Sequence, residues 1–288
     1  MSEFSEEIRR AFKASDDIRD AGLTTPNDVT RFDDIRYGDD SPMQVLDVYR
    51  PRRAEGRRLP VIVSIHGGGW VYGDKERYQY YCMSLAQRGF AVVNFTYRLA
   101  PEWKYPAGME DTNAVFSWVL SHASEYGFDA EHVFAVGDSA GAHMLAIYCC
   151  ICVNPKYAAR YEFAPPAGFA PTAVALNCGA YVMNEGRNDA MRALMPKGGT
   201  KRELSLISPM EHLTGDFPPA FIMTSNVDFL KAEALPLAQK LMALDLPFAL
   251  RFYRDKNTRL GHVFHCDMRS AQGALCNDEE CDFFRRFL

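Results

Sequence analysis

The chain has 288 residues, a length that one α/β domain can account for. Its net charge is -5 and its lysines and arginines are scattered, so the sequence offers no basic face for nucleic acid. No segment approaches the roughly 18 apolar residues of a membrane-spanning helix, and the polar start MSEFSEEIRRAFKAS lacks the apolar core of a secretory signal. We therefore expect a cytoplasmic protein with neither a nucleic-acid nor a membrane partner.

Strands and helices alternate in the sequence from about residue 40 onward. The segment MQVLDVYRP alternates in polarity and predicts an early antiparallel strand, and LPVIVSIHG and FAVVNFTYR are continuous apolar runs typical of buried strands. Helical periodicity follows in DKERYQYYCMSLAQRG and in AGMEDTNAVFSWVLSHASEYG. The strand HVFAVG then leads into a helix predicted from Ser139 to about Val153.

The second half of the chain repeats this rhythm. Three further strands are predicted in PTAVALNCG, PPAFIMTSN and FALRFYR, with the helix KAEALPLAQKLMALD before the last and a closing helix between Asp267 and Leu288. Such alternation is typical of an α/β protein whose central sheet is mostly parallel and has helices on both faces. We predict a single domain over residues 1–288.

Two segments do not fit the rhythm, and we predict that they form a small helical lid. Residues 1–40 are polar and helical in pattern. Residues 180–215 form a long excursion between two strands, and excursions of that length are usually functional.

Two glycine-rich motifs point to nucleophilic chemistry. In GDSAG, Gly137 to Gly141, a serine stands between a predicted strand and a predicted helix, the setting that a nucleophile elbow requires. In SIHGGGW, Ser64 to Trp70, a strand leads into three glycines whose backbone N–H groups can approach a substrate oxygen. The second motif is not a phosphate loop, because no Gly-Lys-Ser/Thr follows it.

Together with YRLAPE, Tyr97 to Glu102, these motifs resemble the hormone-sensitive-lipase group of α/β-hydrolase esterases. The resemblance extends from about residue 40 to the C-terminus and implies an α/β-hydrolase fold with Ser139 as nucleophile. It also implies an oxyanion hole made by the N–H groups of Gly68, Gly69 and Ala140, with Gly67 as the alternative donor. The chemistry requires no metal and no organic cofactor.

The triad order of this fold places the acid and then the base after the nucleophile. Asp228 follows the strand PPAFIMTSN in a setting that resembles the acid motif of the family, although an aspartate there could also cap the next helix. His262 in GHVF resembles the family's base, whereas we expect His265 to pack at the start of the final helix. Glu233 is expected on a helix and turned away from the site.

Four further residues are candidates for the substrate pocket: His66, Trp70, Tyr72 and Asp138. Of these, His66 is also interpreted as a support for the oxyanion loop, and the aromatic side chains could equally serve packing.

The sequence favours a carboxylesterase that uses an acyl-enzyme to hydrolyse esters of short or small aromatic acyl groups. Parts of it resemble esterases of acylated plant carbohydrates. Two alternatives stay open: an arylformamidase or other amide hydrolase, and a non-catalytic small-molecule binding protein of the same fold. An exposed edge strand would also permit a homodimer.

Overall fold

The computed structural model describes residues 3–183 and 188–288, and its centre is one eight-stranded sheet. The strands lie in the order β1-β2-β4-β3-β5-β6-β7-β8. In chain order their bounds are β1 Val29–Arg36, β2 Val45–Pro51, β3 Leu59–Ile65, β4 Ala91–Phe95, β5 Phe128–Asp138, β6 Val174–Asn177, β7 Ala220–Ser225 and β8 Phe248–Tyr253.

The first two strands run antiparallel to their neighbours, and all other pairs in the sheet are parallel. The inner parallel strands are buried along nearly their whole length, which explains their unbroken apolar sequences. The mostly parallel sheet predicted from the sequence is therefore confirmed. The antiparallel strand predicted in MQVLDVYRP is β2.

Helices cover both faces of the sheet. Their bounds are α1 Glu3–Asp20, α2 Lys75–Gln87, α3 Ala107–Ser121, α4 Ala123–Tyr126, α5 Ala140–Val153, α6 Pro155–Ala158, α7 Asn188–Leu194, α8 Lys201–Leu206, α9 Ala234–Ala243 and α10 Ala271–Arg285. Buried side chains form one apolar cluster on each side of the sheet, and α5 contributes to the larger of them. Within the described ranges, no helix is long and apolar enough to cross a membrane.

The prediction for residues 1–40 was wrong in part. The helix ends at Asp20, and Val29–Arg36 is an edge strand paired antiparallel with β2. Its sequence VTRFDDIR carries too many charges to resemble a strand, and an edge position with one open side tolerates them.

The second candidate lid, residues 180–215, contains α7, α8 and a short 3-10 helix at Pro209–Glu211. Residues 184–187, which belong to this prediction, lie outside the described residues.

Candidate active site

Ser139 lies on a tight turn between β5 and α5. Its backbone has φ 51° and ψ -116°, a left-handed conformation that non-glycine residues adopt rarely and at a cost. The turn is held by the surrounding backbone, since the Ser139 N–H donates to the Asn177 carbonyl at 2.9 Å. Ser139 also precedes the first residue of α5, so its side chain stands at the positive end of a helix dipole.

Gly141 shows why the serine is flanked by small residues. A Cβ atom at this position would lie 2.0 Å from the Ile65 carbonyl oxygen, at the end of β3. Only glycine therefore lets α5 approach β3 this closely, and that approach brings the serine turn next to the glycine-rich loop that follows β3.

The glycine-rich loop turns at Gly68, which has φ 117°. A Cβ atom there would lie 2.0 Å from the Tyr72 carbonyl oxygen, so the loop cannot fold this way with a side chain at Gly68. Gly68 and Gly69 are partly exposed, whereas Gly67 is buried.

The N–H of Gly67 is engaged inside the protein. It donates to the Tyr78 hydroxyl at 3.1 Å and to Asp138 Oδ1 at 3.2 Å, and the Tyr78 hydroxyl itself donates to Asp138 Oδ2 at 2.8 Å. Burial raises the pKa of Asp138 to about 6, although the hydrogen bond from Tyr78 and the charge of His262 act to lower it. This network ties the glycine-rich loop to the serine turn, and it occupies the N–H of Gly67, the alternative oxyanion donor.

Asp228, which is buried, and His262, which is partly exposed, form a pair in the loops that follow β7 and β8. Asp228 follows β7, and its Oδ1 accepts a hydrogen bond of 2.7 Å from His262 Nδ1. The Leu230 N–H and the Thr224 hydroxyl also donate to this carboxylate, at 2.9 and 2.7 Å. Burial alone would raise the pKa of Asp228, but the hydrogen bond and charge of His262, with these two donors, bring the pKa below its ordinary value. The carboxylate stays ionised and holds the imidazole with Nε2 free to act as a base.

Ser139 and His262 line the same cavity, which has a volume of about 190 Å³. Helix α1 supplies one wall, and Tyr78 of α2 contributes to the lining. The other lining residues lie at or after the carboxyl ends of the parallel strands, as expected for α/β folds. The complete lining is Phe12, Ser15, Asp16, Arg19, Gly67, Gly68, Tyr72, Tyr78, Asp138, Ser139, Phe229, His262 and Val263.

The four pocket candidates separate into two pairs. Tyr72 and Asp138 line the cavity, but His66 and Trp70 do not. The His66 ring is fully buried, stacks on Tyr97 with centroids 4.1 Å apart, and its pKa falls to about 4 through burial. The Trp70 indole is buried too, and its N–H donates to His143 Nδ1 at 3.2 Å. Both side chains therefore lie inside the protein, at the two ends of the glycine-rich loop.

His265 and Glu233, which the sequence analysis placed outside the proposed triad, are held by contacts within the protein. His265 is fully buried against Tyr81, and burial lowers its pKa to about 3, so it cannot replace His262. Glu233 lies in a 3-10 turn after Asp228 and accepts hydrogen bonds from the N–H groups of Tyr181 and Val182. It thereby connects the acid loop to the start of the 180–215 segment.

Sequence reasoning missed the individual cavity residues of α1 and the ring of Phe229. Phe12 contacts Tyr72 edge to face, with centroids 5.9 Å apart, and the Tyr72 hydroxyl donates to Asp16 at 2.9 Å. Such contacts join residues more than fifty positions apart in the sequence. The sequence could therefore indicate residues 1–40 as a lid segment but not its individual cavity residues. For the exposed Phe229 the sequence did offer a signal, since this residue directly follows the predicted acid Asp228.

Among the described residues, Cys178, Asp228 and His262 are grouped closely enough to suggest a metal site, with ligand atoms within 4.8 Å of one another. The hydrogen bond between Asp228 and His262 already uses two of those atoms, and burial raises the pKa of the Cys178 thiol well above its ordinary value. A neutral thiol is a poor metal ligand. The group therefore fits an acid–base pair better than a metal centre.

Comparison with known proteins places this geometry among hydrolases. A family model described as alpha/beta hydrolase fold matches residues 62–265. The esterase LipQ of Mycobacterium tuberculosis is 27% identical over 206 residues, a match that covers 68% of this chain and 48% of LipQ. The carboxylesterase NlhH of the same organism is 33% identical over 203 residues, covering 64% of this chain and 61% of NlhH. The chain therefore spans only about half to three fifths of these two relatives.

A solved structure gives the more complete match. Esterase B from Lactobacillus rhamnosis superposes with a TM-score of 0.87 at 25% identity, and the match covers 96% of this chain and 92% of that protein. The match therefore spans nearly the full length of both chains.

Proposed function

The chain belongs to the α/β-hydrolase fold family, and from that premise we propose that it is a serine carboxylesterase acting through an acyl-enzyme. The observation that carries the proposal is the hydrogen bond from His262 to the buried Asp228, in the cavity that also holds Ser139 on its strained turn. The esterase names of the relatives LipQ, NlhH and Esterase B support the same reaction class.

In the proposed mechanism, His262 takes the proton of the Ser139 hydroxyl as the serine oxygen attacks the ester carbonyl. Asp228 orients the imidazole and stabilises the imidazolium. The N–H groups of Gly68, Gly69 and Ala140 hold the negative oxygen of the tetrahedral intermediate. His262 then protonates the leaving alcohol, and water repeats the attack on the acyl-enzyme to release the acid and restore Ser139.

The size of the cavity supports small substrates. A volume of about 190 Å³ lies below the range of pockets that enclose drug-sized ligands. We therefore propose short-chain or small aromatic acyl groups. Esters of acylated carbohydrates form a narrower proposal, for which acetylated or feruloylated xylo-oligosaccharides must be turned over better than simple butyrate esters.

Location, domain organisation and assembly are also part of the proposal. We propose a cytoplasmic enzyme of one domain, with α1 and the 180–215 segment as its lid. The edge strand β8 carries the 60% exposed ring of Phe252, which makes this edge the proposed surface for a homodimer. Light scattering coupled to size exclusion separates monomer from dimer.

The proposed activity is tested with p-nitrophenyl esters from acetate to decanoate, comparing the wild type with Ser139→Ala. We expect an optimum at short chains and a loss of turnover in the variant by roughly 10⁴-fold or more. Ser117→Ala provides the control, because that hydroxyl is exposed on α3 and donates to the Asn113 carbonyl of its own helix. Turnover by folded wild type that persists in Ser139→Ala would overturn the proposal. Hydrolysis of amides or formamides alone would replace it with the amidase alternative.

A further inference from the structure

Phe229 places an exposed aromatic ring directly beside the proposed base. The side chain is 70% exposed, and its ring centroid lies 4.2 Å from that of His262. We propose that Phe229 is a specificity-determining residue that binds the alcohol part of the ester, and that the preferred alcohol carries a ring. This inference rests on the proposed esterase function.

A single exposed phenylalanine is not unusual on a protein surface, so exposure alone does not carry the argument. Phe252 on β8 is exposed to a similar extent, 60%, but it does not line the cavity. Phe229 combines three features: an exposed surface, contact with His262, and a place in the lining of the cavity that holds Ser139. Covering its apolar surface with a ligand is favourable because that surface leaves water.

The contact with His262 indicates which part of the ester Phe229 meets. After Ser139 attacks, His262 gives its proton to the leaving oxygen, which must lie within hydrogen-bond reach of the imidazole. That oxygen belongs to the alcohol, whereas the acyl carbon is bonded to Ser139 and its oxygen is held by the glycine-rich loop. A ring packed on His262 is therefore a neighbour of the alcohol.

The rest of the lining suits a ring more than an open chain. Phe12 and Tyr72, in edge-to-face contact, present further aromatic carbon to the same cavity. Rings are rigid, so they lose less conformational freedom than an alkyl chain when they are held between apolar walls. Asp16 and Arg19 of α1, which pair with each other at 2.9 Å, add a polar side to the same cavity.

The test compares three acetates with the same number of carbons and a fourth ester that carries its ring on the acyl side. Benzyl, cyclohexylmethyl and n-heptyl acetate share a seven-carbon alcohol of similar acidity, and ethyl phenylacetate moves the ring to the acyl side. We expect the wild type to prefer at least one of the ring alcohols over n-heptyl acetate by about fivefold in kcat/KM, the size of an aromatic contact. A preference for benzyl over cyclohexylmethyl acetate identifies a flat aryl ring, and the reverse identifies a saturated ring such as that of a sugar.

Two variants assign the preference to Phe229. Phe229→Leu keeps an apolar side chain but removes the ring, and we expect the ratio of kcat/KM between the preferred ring acetate and n-heptyl acetate to fall to about one. Phe229→Trp should keep the preference. Phe32→Leu is the matched control and should behave as wild type, because Phe32 is 42% exposed and does not line the cavity.

Two results would overturn the inference while leaving the esterase proposal intact. One is an equal loss for all four esters in Phe229→Leu, since that pattern means the ring only positions His262. The other is a loss confined to ethyl phenylacetate, which would put the ring on the acyl side. If the wild type hydrolyses none of the four esters, or Ser139→Ala hydrolyses them equally well, both proposals fail together.

Discussion

Two walls of the cavity are built in different ways. The catalytic wall, defined by Gly67, Gly68, Ser139 and His262, stands on loops at the ends of buried strands. It is held by interior hydrogen bonds, among them those from Gly67 N–H to Asp138 and from His262 to Asp228. Its geometry is over-determined by the sheet and by glycines that no other residue could replace.

The helix wall is defined by the cavity residues of α1: Phe12, Ser15, Asp16 and Arg19. It is attached by hydrogen bonds and ion pairs that are partly buried or exposed. Arg9 pairs with Glu102 at 2.6 Å, and Asp17 pairs with Arg77 at 2.5 Å, with all four side chains partly exposed. Exposed ion pairs contribute little individually. From this difference we propose that the catalytic wall performs the chemistry, while the helix wall selects what enters.

The largest effect is expected on the catalytic wall, from Asp228→Asn. The amide no longer holds His262 with Nδ1 protonated, so the imidazole cannot accept the proton of Ser139, and kcat should fall by about 10⁴-fold. The measurement is kcat for a p-nitrophenyl ester. Asp129→Asn is the matched control, because Asp129 also bonds a histidine, His132, at 2.7 Å, but in a partly exposed pair away from the cavity. A fall below tenfold in Asp228→Asn would show that another residue orients the base.

A smaller effect is expected from Tyr78→Phe, which removes the hydroxyl between Gly67 and Asp138. We expect kcat to fall by about tenfold with KM unchanged, because the oxyanion loop loses a support rather than a binding contact. The pH profile should move as well. The hydrogen bond from Tyr78 lowers the pKa of Asp138, which stands at about 6, so its removal raises that pKa. Because Asp138 accepts the hydrogen bond from Gly67, we expect its titration to contribute to the acid limb of kcat/KM, which then shifts to higher pH.

Tyr80→Phe serves as the control for this shift, since Tyr80 lies on the same helix and donates to the Leu23 carbonyl at 2.9 Å. Its profile should match that of the wild type. An unchanged acid limb in Tyr78→Phe would mean that Asp138 does not contribute to the titration of activity.

On the helix wall, Phe12→Ala should change selection and not chemistry. The variant removes an aromatic side of the cavity, so KM for short esters should rise by about fivefold while kcat stays within about twofold. Ile18→Ala on the same helix is the control, because Ile18 is 78% exposed and does not line the cavity. If Phe12→Ala instead lowered kcat and left KM unchanged, the division between the two walls would be wrong.

The smallest effect concerns the attachment of α1. Glu102→Gln removes the charge that Arg9 meets, and an exposed pair of this kind contributes up to about 1 kcal/mol. We expect Tm to fall by no more than about 4 °C in low salt, and by less in high salt, where the pair is screened. Asp189→Asn should leave Tm unchanged, since its pair with Arg192 is highly exposed. A fall in Tm of Glu102→Gln that grows with salt would exclude the ion pair as its cause.

The same division explains how much the sequence could predict. The fold was predictable because buried parallel strands must be continuously apolar, as in LPVIVSIHG, and because helices alternate with them. For the catalytic wall, close backbone approach restricts Gly68 and Gly141 to glycine, so the sequence itself carries the signal. The proposed triad residues Ser139, Asp228 and His262 stand at strand ends whose order the fold prescribes.

The helix wall left no comparable signal. Phe12 and Asp16 meet Tyr72 across a long stretch of chain, and a helix with charged residues on its outer face looks like any surface helix. His66 and Trp70 were predicted near the substrate because they flank the oxyanion glycines. A loop that turns at Gly68 sends their side chains into the interior instead.

The central claim is that Ser139 is a nucleophile activated by His262, and covalent trapping tests it most directly. The wild type is treated with a short-chain p-nitrophenyl phosphonate, digested, and analysed by mass spectrometry while residual esterase activity is followed. We predict one phosphonyl group per chain, on the peptide containing Ser139, with activity lost in proportion and labelling slowed by at least about 10³-fold in His262→Ala. Loss of activity with the label on another residue, or labelling of Ser139 at an equal rate without His262, would contradict the account.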